Sequence, residues 1–154
     1  MASSESSYYW RMTSHAVTPQ TLGAWVIKCN PSKTDLEPMV AAGRAHEHWC
    51  VAANYRSRLM AAGQPVLFWV TGARHRGIWG VGRLTGRPIS GSATKVGTDI
   101  PLLREPLGAD MLASIPELGG LEVFRSPQQS NPSWVDVREW AVLRTLLPDV
   151  SGNP

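Results

Sequence analysis

Charge is in short supply in this 154-residue chain, since 18% of its residues are Asp, Glu, Lys or Arg, against roughly 25% in an ordinary soluble domain. Hydrophobic residues, at 43%, are not depleted, so wholesale disorder is excluded. Cysteine is scarce as well. Cys29 and Cys50 alone make neither a disulfide framework nor the paired spacing of a zinc site, and a reducing compartment is the simplest setting, with the cytoplasm expected. No run approaches the roughly 20 apolar residues that span a bilayer. The N-terminus lacks a basic segment followed by an apolar one, so neither a membrane anchor nor a secretion signal is read. Phe occurs only twice and Lys three times, as Lys28, Lys33 and Lys95.

What the chain has instead is Trp and Arg. Seven Trp in so short a chain are more than a core of this size requires, because aliphatic residues fill space without an indole N–H to satisfy. Some are therefore expected to be recognition surfaces. The other basic residues are all Arg, whose flat fork suits phosphate and base contacts, and the net charge is +3. Between Arg44 and Arg87 the only acid is Glu47, which points to one basic face.

The length fits one domain that needs no covalent staple. Residues 1–20 are rich in Ser and Thr with an aromatic knot at Tyr8, Tyr9 and Trp10, read as a flexible leader; residues 149–154 are read as a tail. Ala24–Cys29 is a strand stopped by Asn30-Pro31, and a short helix from Thr34 or Asp35 is expected to end near Gly43. His48–Val51 is too short to classify. A helix is predicted over Asn54–Ala62, then a hairpin from Pro65–Val70 and Ile78–Leu84 with a basic tip. Two Gly on its second strand suggest a close backbone approach or a barrel corner. Residues 85–98 read as a loop, Ile100–Arg104 as a strand and Pro106–Ile115 as a helix. Asp136 caps a last helix over Val137–Leu147, with Trp140, Leu143, Leu146 and Leu147 on its apolar side. The order favours a small α+β barrel over alternating βαβ units.

Several pieces, in order, carry a resemblance. They are Trp25-Val26-Ile27-Lys28-Cys29-Asn30-Pro31; Trp49 with Asn54-Tyr55 and Arg58; Val66-Leu67-Phe68-Trp69; and Gly77-Ile78-Trp79-Gly80-Val81-Gly82. Leu118, Arg125, Asn131-Pro132 and Glu139-Trp140 complete the set. Together they resemble the EVE domain, of the PUA-like superfamily and related to the YTH domain. The resemblance implies a domain over 21–148 built as a β pseudo-barrel surrounded by short helices, with a pocket for one extruded, modified nucleobase of DNA or RNA. Lys28-Cys29-Asn30 and Trp49-Cys50 are similar to the YTH segments that read N6-methyladenine, where the Trp is one wall of an aromatic cage. The cage aromatics that come after the barrel strands in YTH domains have no counterpart in residues 88–112, so Trp69 or Trp79 would have to replace them.

A methylated base is flat and polar at its rim, which calls for aromatic faces and a few hydrogen-bond partners. The expected pocket set is Trp49, Asn30, Cys29, Cys50, Lys28, Trp69, Trp79, Thr34, Asn54 and Tyr55, with Arg56, Arg58, Arg74, Arg76 and Arg83 on phosphates. Trp25, Trp134 and Trp140 are expected to pack in the core, and Trp10 is unassigned. For Asn30 the alternative is a turn, for Thr34 and Asp35 a helix cap, and for Lys28 a phosphate contact, a general base or a reach to solvent. His46 and His48 beside Cys50 lack a second ligand pair, so no metal or other cofactor is expected. The preferred reading is a non-catalytic, monomeric reader of a methylated cytosine or N6-methyladenine type of base. The alternatives are a hydrolase of modified nucleosides, as in the related ASCH domains, with Lys28 beside Asp35 or Glu47 and Thr34 or Thr71, and a protein-interaction adaptor using exposed Trp.

Overall fold

In Leu22–Cys29 (β1) successive side chains point to opposite faces, and both faces are apolar, so the strand must be covered on two sides. It is. In the computed structural model, which describes residues 16–72 and 74–148, β1 pairs in parallel with Pro65–Val70 (β3) and antiparallel with Ser133–Asp136 (β7). β3 pairs antiparallel with Gly77–Leu84 (β4), and β4 is shared by Lys95–Asp99 (β5) and Leu102–Gly108 (β6). His48–Cys50 (β2) lies antiparallel to β5, giving the order β2-β5-β4-β3-β1-β7 with β6 on β4. The sheet curls into a half-barrel. Its two ends approach one another just beyond β2 and β7, where the Ala52 N–H donates to the Asn131 carbonyl at 2.8 Å.

Alternation sorts the core in two. Trp25, Ile27, Cys29, Val66, Phe68 and Val70 face the concave interior, with Trp49, Met39, Met60, Ile100 and Trp134. Ala24, Val26, Leu67, Trp69, Ile78 and Val135 face the other side, where Leu112, Leu118, Leu121, Trp140 and Leu143 cover them. Those come from the short helices Ala109–Ala113 (α3) and Val137–Arg144 (α5), from a 3-10 turn at Pro116–Leu118, and from the N-cap of Glu122–Arg125 (α4), which adds Val123. The earlier helices are Glu37–Ala42 (α1) and Tyr55–Leu59 (α2). The mixed α+β reading therefore stands, as do the packing roles of Trp25, Trp134 and Trp140.

The corner at β4 is real. β5 pairs with its last two residues and β6 with its first four, so the chain folds over Gly80 and Gly82 at Ile100-Pro101. Other expectations change. Residues 95–99 form β5 instead of a loop, and β6 runs through Pro106 to Gly108, leaving a five-residue helix behind it. α2 ends at Leu59 because Met60 turns extended and buries its side chain. Leu146 is exposed. Residues 16–20, assigned to the leader, belong to the domain: Val17 is buried inside the half-barrel and its N–H donates to the Tyr55 hydroxyl at 3.3 Å. Tyr8, Tyr9, Trp10 and the 149–154 tail lie outside the described residues.

Asp136 caps α5 as expected, in a reciprocal box: its carboxylate accepts from the Glu139 N–H at 2.8 Å, and Glu139 Oε1 accepts from the Asp136 N–H at 2.9 Å. Burial pushes the Glu139 carboxyl up to about 7, with Asp136 and Glu122 adding repulsion and the Asp136 N–H and Arg125 opposing it. The unfolded chain releases this proton near the ordinary value of 4.5, so between those pH values the native state holds a proton the unfolded state has lost. Stability therefore falls as pH rises through that window. Glu139→Gln keeps the cap acceptor and removes the charge. Thermal melts should show the variant stabilised by on the order of 1–2 kcal/mol at pH 8 and unchanged at pH 4, allowing for partial solvent screening; an unaltered pH profile would contradict the assignment.

Candidate nucleic-acid interface

The parallel strands β1 and β3 end side by side, Cys29 opposite Val70. The Thr71 N–H bonds the Cys29 carbonyl at 2.9 Å. The segments that leave the two strands are therefore brought together. After β1 comes the turn 30–34, closed by Asn30: its carbonyl accepts from the Lys33 and Thr34 N–H groups, and its side-chain Oδ1 accepts from the Ser32 N–H at 3.0 Å and hydroxyl at 2.8 Å. This is an Asx turn. It leaves the Asn30 amide Nδ2–H₂ exposed and without a hydrogen bond among the described residues. After β3 comes the hairpin tip, where a Cβ added at Gly72 would lie 3.9 Å from the Pro31 ring. His75 takes a left-handed conformation, φ 56°, which His tolerates better than bulky branched residues do.

The tip carries exposed Arg74, His75 and Arg76. Trp79, on β4, is half-buried, leans on the interior cluster and donates its indole N–H to the His75 carbonyl at 2.7 Å. The bond fixes the ring and leaves its outer part at the surface. Lys33 adds an exposed cation on the facing turn. Sequence reasoning passed over it, although its place two residues after Pro31 was a signal.

Trp49 is inside, 9% exposed. Its ring lies 5.3 Å from Phe68 and 5.7 Å from His46, and its N–H donates to the His46 carbonyl at 2.8 Å. It belongs to the cluster on which Trp79 rests. Cys29 is buried there too, its thiol pushed up to about 11 by burial, which keeps it protonated and inert. Thr34 is half-buried, its carbonyl facing the Cys29 Sγ at 3.9 Å. Cys50 is an exposed free thiol.

Lys28 and Trp69 are not with them. They are register partners across the parallel pair and share the helix-covered face. Trp69 is 3% exposed and packs edge-on to Phe124 at 5.6 Å. Lys28 donates from Nζ to the Pro127 carbonyl at 3.0 Å. Burial lowers its pKa; the nearby Arg56 acts in the same direction and Glu122 opposes it. The neighbours proposed for it in a hydrolase are elsewhere: Asp35 accepts from the Glu37 N–H, and Glu47 lines a cleft beside β5. The Lys28 backbone is held by Asn131, whose Oδ1 accepts from its N–H at 2.8 Å and whose Nδ2 donates to its carbonyl at 3.0 Å. A side chain thus extends the ladder ahead of the first residue of β7.

Asn54 and Tyr55 have structural work. Asn54 caps α2 in a box with Ser57, and the Tyr55 hydroxyl accepts from Val17. Arg56 is buried, not on a phosphate: its guanidinium makes a two-pronged pair with Glu122, 2.8 Å on each prong, and donates to the Pro132 carbonyl at 3.0 Å. Arg58 and Arg83 are exposed on other elements, Arg58 on α2 and Arg83 near the far end of β4 from the tip. Sequence reasoning also missed the open polar cleft of about 390 Å³ between Arg44, Glu47, His48, Thr85, Thr98 and Asp99, in which Arg44 pairs with Asp99. Among the described residues no three His, Cys, Asp or Glu side chains converge as metal ligands, and no helix is long and apolar enough to cross a membrane.

No protein family's sequence model matches the chain, and no curated protein matches it. Solved structures share its fold. A protein from Pseudomonas syringae superposes with a TM-score of 0.62 at 18% identity, over 80% of this chain and 98% of its own. A hypothetical protein from Leishmania major gives 0.63 at 18%, over 80% and 92%, and Rpa0253 from Rhodopseudomonas palustris gives 0.62 at 21%, over 82% and 95%. At such identities the likeness carries the fold alone.

Proposed function

We propose that the chain is a non-catalytic reader of the EVE type, a PUA-like pseudo-barrel that binds one extruded, modified base of a nucleic acid at the end of the half-barrel where β1 and β3 finish. The observation that carries the reading is Trp79: a half-buried indole tied to a tip bearing Arg74, His75 and Arg76, beside a turn that leaves the Asn30 amide without a partner. In this reading Trp79 stacks on the base, the Asn30 amide donates to its polar edge, and Thr34 lines the turn. Trp49 and Cys29 form the floor behind them, and Arg74, Arg76 and Lys33 meet phosphates. The protein works as a monomer in a reducing cytoplasm, where Cys50 stays a thiol, and needs no cofactor.

Stacking a base on an aromatic ring contributes about 1–3 kcal/mol, which offsets a good part of the few kcal/mol that extrusion costs. Titration of Trp fluorescence with oligonucleotides that differ only in one methylated cytosine or adenine tests the reading. Tighter binding of the modified strand is expected, with a loss of roughly ten-fold or more in Trp79→Ala. Equal affinity for modified and plain strands, or full affinity in Trp79→Ala, would overturn it. Trp49→Ala is the poorer probe, because truncating a core indole costs about 3–5 kcal/mol of folding stability and confounds the measurement.

A further inference from the structure

We propose that the bend Arg87-Pro88-Ile89 is a wedge that enters double-stranded DNA and fills the gap left by the extruded base; this rests on the base-reading function above. Ile89 is 75% exposed, more than any other large hydrophobic residue described. An exposed Ile is ordinary in itself, but this one is held. Its N–H donates to the Lys95 carbonyl at 2.8 Å and its carbonyl accepts from the Lys95 N–H at 3.0 Å. The proline before it fixes the approach of the chain. The side chain is thus presented on a hydrogen-bonded ribbon, and ordering it on insertion costs little.

The surroundings have the charge a DNA backbone requires. Arg87 and Lys95 flank Ile89, both exposed and neither in an ion pair among the described residues. From Thr85 to Thr98 the sequence contains no acid, and the ribbon's end carries Ser90, Ser92 and Thr94. Aliphatic side chains flanked by Arg and Lys are what unstacks and props open a base step from the minor groove of B-form DNA. The ribbon also adjoins the strand that carries Trp49, the floor of the reading site. Lys95 pairs with Cys50 on its other edge, so the Ile89 backbone lies two strand spacings, roughly 10 Å, from that of Cys50. Trp49 connects the two regions, its strand paired with the ribbon and its ring within the cluster that supports Trp79. An extruded base stays tied to the gap it vacates by its own backbone, so pocket and wedge must belong to one continuous surface.

Fluorescence anisotropy on a duplex DNA carrying one modified base, on the same strand unpaired and on the matching RNA duplex tests this. Wild-type protein should prefer the DNA duplex. Ile89→Ala should weaken duplex binding about ten-fold, the effect of withholding one aliphatic side chain from burial, while leaving the unpaired strand and the melting temperature unchanged. A 2-aminopurine beside the modified base should brighten with wild type and not with Ile89→Ala. Arg87→Ala and Lys95→Ala should each reduce the slope of log affinity against log salt by about one. Equal effects of Ile89→Ala on paired and unpaired strands, no effect on either, or a wild-type preference for single strands or RNA would overturn the wedge while leaving base reading intact. Failure to tell modified from plain bases in any strand form would overturn both.

Discussion

Arg56→Ala is expected to cost about 3–5 kcal/mol of folding stability, read as a drop in the urea midpoint, because it strands the Glu122 carboxylate where water cannot reach it. Arg56 and Glu122 are 8% and 5% exposed, and the guanidinium also satisfies the Pro132 carbonyl. One residue therefore ties α2 to α4 and to the entry of β7. The cost arises from the orphaned charge more than from the attraction lost, so Arg56→Met combined with Glu122→Leu should recover most of the stability. A salt titration of oligonucleotide binding, at a temperature where Arg56→Ala is folded, should give the wild-type slope. A stable Arg56→Ala protein with a reduced slope would return Arg56 to the phosphates, where its sequence position first suggested it belonged.

Gly82→Ala is the second large effect. A Cβ at Gly82 would fall inside the van der Waals shell of the Asp99 carbonyl and 2.7 Å from the Ile100 Cα. Both obstacles are backbone, so neither can swing aside, and β4 must separate from the chain that folds over it. The expected loss is roughly 3 kcal/mol or more, toward the upper end for overpacking. Gly86→Ala is the control, since nothing lies within 4 Å of its added carbon, and it should be neutral or slightly stabilising. Comparable melting temperatures for the two variants would show that the β4 corner gives way easily.

What was legible in the sequence was local. β1, β3 and β4 announce themselves through β-branched and aromatic runs stopped by Asn-Pro and Gly, and Asp136 with Glu139 spells out a capping box before the helix is seen. β5 does not, because Lys-Val-Gly-Thr-Asp has little strand preference and is held by β2 and β4 from elsewhere in the chain. Pro106 reads as a helix start, yet it lies in β6, whose one strand neighbour among the described residues is β4, so a missing N–H on its other edge is tolerated.

At the site, alternation along the strands would have excluded Lys28 and Trp69 from the pocket of Trp49 had the interior face been known; one parity moves both together. That parity is fixed by Phe68 and Trp25 turning inward, a tertiary fact. Asn54 and Tyr55 carried a resemblance but act on the backbone around them. Arg56 could not be placed because its partner is 66 residues away.

β1 lies between β3 and β7, and this has a consequence for biosynthesis. During translation the first strand leaves the ribosome long before either of its neighbours. It gains one edge when Pro65–Val70 has emerged and waits for the other until Ser133–Asp136 is made. For most of that interval its apolar faces lack the late helices that cover them and its ladder is open on one side, a template for any passing strand. The Asn131 amide that bonds the Lys28 backbone, although it resembles a small repair at the end of a ladder, arrives just ahead of β7 and can be the first group to occupy that edge.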